Sequence, residues 1–308
     1  MNAPLVGWQG ASVKHDAKMH PTLRGHLNVP HEQYHGGPGI SKSKLDEFAV
    51  SPRHFWLRYE QEQPAPEEKS EALVIGAASH CAVLEPDLFA ARYIAEPENA
   101  PKRPTKAQLD AKKPSDTALY SIEYWRELAD AHIDKIILTA SQYQECLQLR
   151  DCVWNEPSAA SLLKYGVAEQ SFYAEDPLTG LLLKCRPDFL TDGGMFLDLK
   201  FVRDASPGGF GRACANDRYD VQSAFYPEVA QMADAPVDPD VFAFIAVEKN
   251  PYGPVCAIYV ADVEMRTSGS NKWRSEVSRL AECYHSGNWP AYTPEPMPIR
   301  FPNYAKVL

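Results

Sequence analysis

Apolar residues along the chain follow two periods in turn, and the change from one to the other sets out the architecture. Residues 1–40 carry neither period. His31, His35, Gly36, Gly37, Pro38 and Gly39 crowd the second half, so the segment reads as an irregular arm. From Ile40 the spacing is helical. Ser41 and Ser43 stand where an N-cap is needed ahead of Leu45 and Phe48, Ser51-Pro52 stops that helix, and a second carries Phe55, Trp56 and Tyr59. A polar connection, Gln-Pro-Ala-Pro-Glu-Glu, runs to Glu68. The run EALVIGAASHCAVL at 71–84 is almost wholly apolar and rich in helix formers, which predicts a helix buried on most sides and ended by Pro86. Residues 96–117 carry Pro and Lys clusters and read as a long exposed loop or lid. Helical spacing resumes over 119–153 through Ile122, Trp125, Leu128, Ile136, Ile137 and Leu147.

Beyond residue 167 the segments become short, apolar or alternating. Residues 168–174, 181–190 and 195–201 read as strands, separated by Pro-Leu-Thr-Gly and Thr-Asp-Gly-Gly, the turn chemistry of a meander. A helix over 209–231, strands over 241–247 and 255–260, and a last helix over 263–284 complete the pattern. The expectation is an α/β fold with a mixed central sheet flanked by helices, in one domain over 41–308 after the arm.

The 308 residues are 44% hydrophobic and 23% charged, an ordinary globular composition large enough to bury a core without staples. Lys and Arg number 31 against 41 Asp and Glu, a formal charge of -10, which argues against a protein that coats DNA by neutralising its backbone. Local cations or a bound metal would be needed for any contact with phosphates. Seven scattered cysteines without a CxxC pair suggest reduced thiols and neither a zinc ribbon nor an iron–sulfur site. No apolar run reaches the ~18 residues of a membrane span, and no signal-peptide order opens the chain, so a cytoplasmic protein without a membrane partner is expected.

The richest chemistry lies in CRPDFLTDGGMFLDLK at 185–200. Asp188 is placed on one hairpin strand, and Asp198 and Lys200 on the strand returning after Asp192-Gly193-Gly194. Residues two apart on a strand share a face, so Asp198 and Lys200 point together, and pairing brings Asp188 beside them. Two carboxylates and an ammonium on one buried face must satisfy each other or bind something. A hard divalent cation does the second, and an internal ion pair is the alternative. Acid-x-Lys also occurs at 16–18, 67–69 and 110–112, in polar surroundings where solvated charge suffices; only the copy at 198–200 sits among Met195, Phe196, Leu197, Leu199, Phe201 and Val202.

Pro187-Asp188 followed by Asp198-Leu199-Lys200 resembles the core of the PD-(D/E)XK nucleases. Gly76-Ala77-Ala78-Ser79-His80 resembles the G-x-x-x-H helix of their RecB-like branch, and Gln222-Ser223-Ala224-Phe225-Tyr226 its Q-x-x-x-Y motif. With SKSKLDEFAVSPRHFW and DLKFVRDAS, residues 40–300 are similar to the exonuclease domain of the RecE family of phage recombination systems. The resemblance implies a restriction-endonuclease-like core. It also implies a Mg²⁺-dependent (or Mn²⁺-dependent) exodeoxyribonuclease that degrades linear duplexes from their 5′ ends and leaves 3′ tails. His80, Asp188, Asp198 and the Leu199 carbonyl would hold metal, and Lys200 would activate or position the attacking water. Glu169 occupies the place of the family's first acidic residue, as a metal-supporting carboxylate or a polar strand end. Gln222 and Tyr226 share a helix face and bind phosphate, orient the lysine or pack the core.

Lys184, Arg186, Arg203, Arg212 and Arg218 lie near the site in sequence and are candidate DNA contacts or plain surface charge. The basic loop with Lys102, Arg103, Lys106, Lys112 and Lys113 is a further candidate. The implied partners are double-stranded DNA ends, further copies in a ring-shaped homo-oligomer, and a RecT-like single-strand annealing protein in a bacterial or phage-infected cell. The alternatives are a RecB-like single-strand exonuclease, whose common four-cysteine cluster the scattered cysteines argue against, and a catalytically silent module that binds DNA ends.

Overall fold

The computed structural model describes residues 25–27, 29–61, 71–293 and 295–302. The chain opens with β1 (Gly25–Leu27), α1 (His31–Gly36) and α2 (Lys42–Val50), the last capped by the Ser41 side chain, which accepts the Lys44 N–H. Ser51 caps α3 (Pro52–Phe55) in the same way, and a π-helical turn follows over Trp56–Glu60. The apolar run forms α4 (Glu71–Leu84), and Pro86, tolerated where no intrahelical donor is needed, opens α5 (Pro86–Arg92). Then come β2 (Tyr93–Ala95), α6 (Lys106–Leu109), α7 (Asp116–Ala131), β3 (Ile136–Leu138), α8 (Ala140–Asn155) and α9 (Pro157–Leu162). Reciprocal capping boxes, Thr105 with Gln108 and Thr139 with Gln142, start α6 and α8.

The strand region holds β4 (Gly166–Ala168), β5 (Ser171–Glu175), β6 (Leu182–Cys185), β7 (Phe189–Thr191) and β8 (Phe196–Val202). It is followed by α10 (Pro207–Asn216), α11 (Tyr219–Met232), β9 (Phe242–Glu248), β10 (Val255–Val260) and α12 (Val263–Ser286). Five strands form the central sheet in the order β10-β9-β8-β7-β4; β8 and β9 run parallel and the other neighbours antiparallel. Antiparallel β1, β5 and β6 make a second sheet, and parallel β2 and β3 a third.

Period-two alternation sorts the central sheet onto two cores. Phe196, Phe242, Phe244 and Ala246 face the cluster built by α2, α11 and α12, with Phe48, Phe225 and Trp273. Leu197, Leu199, Ala243, Ile245 and Val247 face the opposite cluster with Val83, Leu149 and Val153 of α4 and α8. This is the mixed α/β architecture the spacing predicts.

Five local expectations are corrected. Residues 25–40 are not irregular: β1 pairs with β5, α1 precedes the Ile40–Leu183 bridge, and tertiary pairing supplies what local periodicity lacks. Residues 1–24, and the polar connection over 62–70, lie outside the described residues. The helical stretch 119–153 is interrupted, because Ile136–Leu138 pairs with Tyr93–Ala95 as a strand. The strand over 168–174 breaks at Glu169 and the helix over 209–231 at Arg218; both residues are left-handed, with φ of 56° and 55°. Asp188 sits one residue before β7 rather than on a hairpin strand, because Pro187 has no N–H for the ladder.

Candidate functional site

The site follows from a gap in the sheet. β7 meets β8 only at Phe189 and Leu190, opposite Leu197 and Phe196, so from Asp198 onward that edge of β8 has no strand neighbour. Asp188 fills the gap. Its Oδ2 accepts the Leu199 N–H at 2.7 Å and lies 3.3 Å from His80 Nδ1. A residue's N–H and C=O leave a strand on the same side, so the Leu199 carbonyl also faces this edge. The bend behind Asp188 is held by Glu169, whose N–H donates to the Asp188 carbonyl at 3.1 Å.

Asp198 and Lys200 share the face toward α11, as their spacing predicts. Lys200 Nζ lies 2.6 Å from Asp198 Oδ2, and Gln222 Nε2 donates to Asp198 Oδ1. The lysine contact is close but not aligned as a hydrogen bond, so buried Oδ2 has no aligned donor. Tyr219 covers the lysine, with Nζ 4.5 Å from its ring centre. His80 reaches the same edge from α4 and meets Phe201 edge-on.

Electrostatics register the crowding. Burial and the Asp188 carboxylate push Asp198 up to about 6. Burial works against ionisation of Asp188 too, but His80 and Lys200 outweigh it and hold that group below the usual carboxylate range. Burial would lower both His80 and Lys200; the adjoining carboxylates reverse this and raise both. Partial burial and the Asp188 carboxylate push Glu169 up to about 8.

Among the described residues no three His, Cys, Asp or Glu side chains are gathered as a ready ligand set. The carboxylates are instead turned toward cations and donors of the protein itself. The donors nonetheless suit a hard divalent cation, which takes a few carboxylate and carbonyl oxygens and keeps waters: two carboxylates, one with a buried oxygen lacking an aligned donor, and an outward backbone carbonyl.

The structure thus brings together Asp188, Asp198, Leu199, Lys200, His80 and Gln222, with Glu169 and Tyr226 at the margin. Gln222 serves the Asp198 carboxylate, and the Tyr226 hydroxyl makes no hydrogen bond among the described residues. Three of the basic candidates are corrected. Lys184 is 2% exposed and donates to the Tyr34 and Gly37 carbonyls at 2.6 and 2.8 Å. Arg186 is spent on Ser171 and the Val29 carbonyl, with its guanidinium over Tyr34. Arg218 binds Asp46 at 2.9 Å and both oxygens of Glu276. Burial of a cation is tolerated only with such partners, so these three are fastenings. Arg212 is exposed and paired with Asp204, while Arg203 is exposed and makes no ion pair among the described residues. Tyr219 was not singled out from sequence; its place three residues before Gln222, on the same helix face, is the signal that could have found it.

Residues 41–296 match the family described as a PDDEXK-like domain of unknown function, DUF3799, and the chain belongs to it. The PD-(D/E)XK resemblance and the fold class are thereby borne out. A crystal structure from Eubacterium rectale named "Putative exonuclease" is similar in fold, with a TM-score of 0.50 at 15% identity over 85% of this chain and 88% of that one. A phage related exonuclease from Haemophilus somnus 129PT aligns at a TM-score of 0.30 and 14% identity, over 68% of this chain and 92% of that one. None of the curated proteins matches.

Proposed function

We propose that the chain is a metal-dependent phosphodiesterase acting on DNA, a 5′-to-3′ exodeoxyribonuclease that shortens linear duplexes and leaves 3′ single-stranded tails for phage-type recombination. The observation that carries this reading is the meeting of Asp188, Asp198 and Lys200 at the unpaired edge of β8, with Asp198 Oδ2 buried and lacking an aligned donor. Membership of a PDDEXK-like family supports the reaction class.

Asp188, Asp198 and the Leu199 carbonyl, with His80 beside them, would hold Mg²⁺ or Mn²⁺, which when bound supplies Lewis acidity toward a phosphoryl oxygen and a more acidic water. The protein's own part is positional. Lys200 stays protonated beside two carboxylates and donates from Nζ toward the attacking water or the developing negative charge. Gln222 fixes one oxygen of Asp198, and the other lies beside the Lys200 ammonium. Arg203 and the Tyr226 hydroxyl are available to phosphates. Product tails would pass to a single-strand annealing protein, and the enzyme would work as a homo-oligomeric ring in the cytoplasm. No described helix is long and apolar enough to cross a membrane.

Purified protein, incubated with Mg²⁺ and duplexes labelled at either end, tests the reading beside a Lys200→Ala variant shown to be folded. Release of nucleotides from the 5′ label that the variant loses is expected. Equal digestion by both proteins, or none by either, contradicts it; tight end binding without digestion points to the silent module.

A further inference from the structure

Two lysines of this fold lie over aromatic rings, and they are held differently. Lys184 Nζ is 4.8 Å from the Tyr34 ring centre and also donates to the Tyr34 and Gly37 carbonyls. Lys200 Nζ is 4.5 Å from the Tyr219 ring centre, yet its contact with Asp198 Oδ2 is not aligned, and it has no aligned acceptor among the described residues. An aromatic face attracts an ammonium through the ring quadrupole and uses up no N–H. The three donors of Lys200 therefore stay free for water or phosphate, whereas those of Lys184 serve the fold.

The Tyr219 ring is seated from three sides. Arg218, left-handed and fastened to Asp46 and Glu276, separates α10 from α11, so Tyr219 opens a new helix. The ring stacks on Phe244 at 5.8 Å and 29° and lies 6.1 Å from Phe210. Phe244 is the register partner of Asp198 on the neighbouring strand, so the stack anchors the ring beside the lysine's own strand. Gln222, three residues on, shares the helix face and donates to Asp198 Oδ1. The first turn of α11 thus addresses both members of the pair, with an amide for the carboxylate and an aromatic face for the ammonium.

Gln222 occupies Oδ1 of Asp198, so the oxygen left for a divalent cation is Oδ2, the one beside Lys200. Engaging it would remove the charge that now attracts the lysine and set two cations against each other. A lysine on a flexible four-carbon stem then leaves unless something else holds it. We propose that Tyr219 is a positioning residue, whose aromatic face keeps the Lys200 ammonium over the site when Asp198 is engaged elsewhere. The proposal rests on the reading of Lys200 as the ammonium that serves phosphodiester cleavage. It assigns the role to the π face, not to the hydroxyl or to the bulk of the side chain.

Digestion of end-labelled duplex with Mg²⁺ compares the wild type with Tyr219→Phe, Tyr219→Leu and a chain carrying pentafluorophenylalanine at position 219, which keeps the ring's shape but reverses its quadrupole. Tyr219→Phe should hold kcat within about threefold, while the leucine and the fluorinated ring lower it about tenfold or more with KM for DNA unchanged. A second readout needs neither metal nor DNA. In protein with ¹³C-labelled lysine, the methylene next to Nζ of Lys200, assigned by its loss in Lys200→Ala, should be shifted upfield by the ring in the wild type and Tyr219→Phe and unshifted in Tyr219→Leu. A fluorinated ring as active as phenylalanine, a loss in Tyr219→Phe equal to that in Tyr219→Leu, a change in KM alone, or an unshifted methylene in the wild type overturns the proposal. A wild type without digestion, or a Lys200→Ala variant as active as the wild type, instead overturns the underlying reading and the proposal with it.

Discussion

Asp198 is 1% exposed, has a second carboxylate for a neighbour, and among the described residues takes the only aligned hydrogen bond to its side chain from Gln222. Gln222→Leu leaves both oxygens without an aligned donor, and unfolding should become easier by about 1–3 kcal/mol, read as a lower melting temperature. An unchanged melting temperature would count against the role given to that amide. Arg218 provides a second check, because its guanidinium is committed to Glu276 and Asp46. Arg218→Met should cost about 2–4 kcal/mol of stability while the salt dependence of DNA binding by the folded fraction stays as in the wild type. A shallower salt slope would return Arg218 to the DNA. These residues also mark what was legible. The shared face of Asp198 and Lys200 could be read because strand geometry is local. That of Lys184 and Arg186 could be read too, but not what it meets, since their partners are carbonyls of Val29, Tyr34 and Gly37, about 150 positions away in the chain.

Elements with strong end signals were legible for the same local reason. Ser41, Ser51 and Pro86 mark boundaries that the structure keeps, and Glu71–Leu84 is the helix its composition predicts. The breaks at Glu169 and Arg218 were not legible, because a left-handed backbone at a charged residue is imposed by surroundings rather than by the residue. The gap in β8 pairing that creates the site likewise depends on where Pro187 interrupts the ladder. Gly76, one turn before His80, gives a sharper test. A Cβ there would meet nothing within 4 Å, so packing does not require glycine. Gly76→Ala should stabilise α4 by about 0.5–1 kcal/mol and, if that space receives the DNA backbone, lower the cleavage rate. Thermal melts and nuclease assays on the same preparation separate the two; greater stability with full activity would show that the space is not used. Lys184→Met should release residues 29–37, seen as new protease cleavage there at unchanged temperature.

For the whole molecule, the proposed divalent cation would offset two adjoining carboxylates in a chain of net charge -10. Mg²⁺ at 100 times its dissociation constant should raise stability by about 2.7 kcal/mol, and Asp198→Asn should abolish most of that gain. The mixed sheet was legible from alternating periods, but the arrangement of its edges was not, since edges are set by which strands fail to find neighbours. The account as a whole rests on a cation gathered at the bare edge of β8. An anomalous difference map from crystals grown with Mn²⁺ tests this most directly: a peak in contact with Asp188, Asp198 and the Leu199 carbonyl is the expected result, and a peak elsewhere, or none, contradicts it.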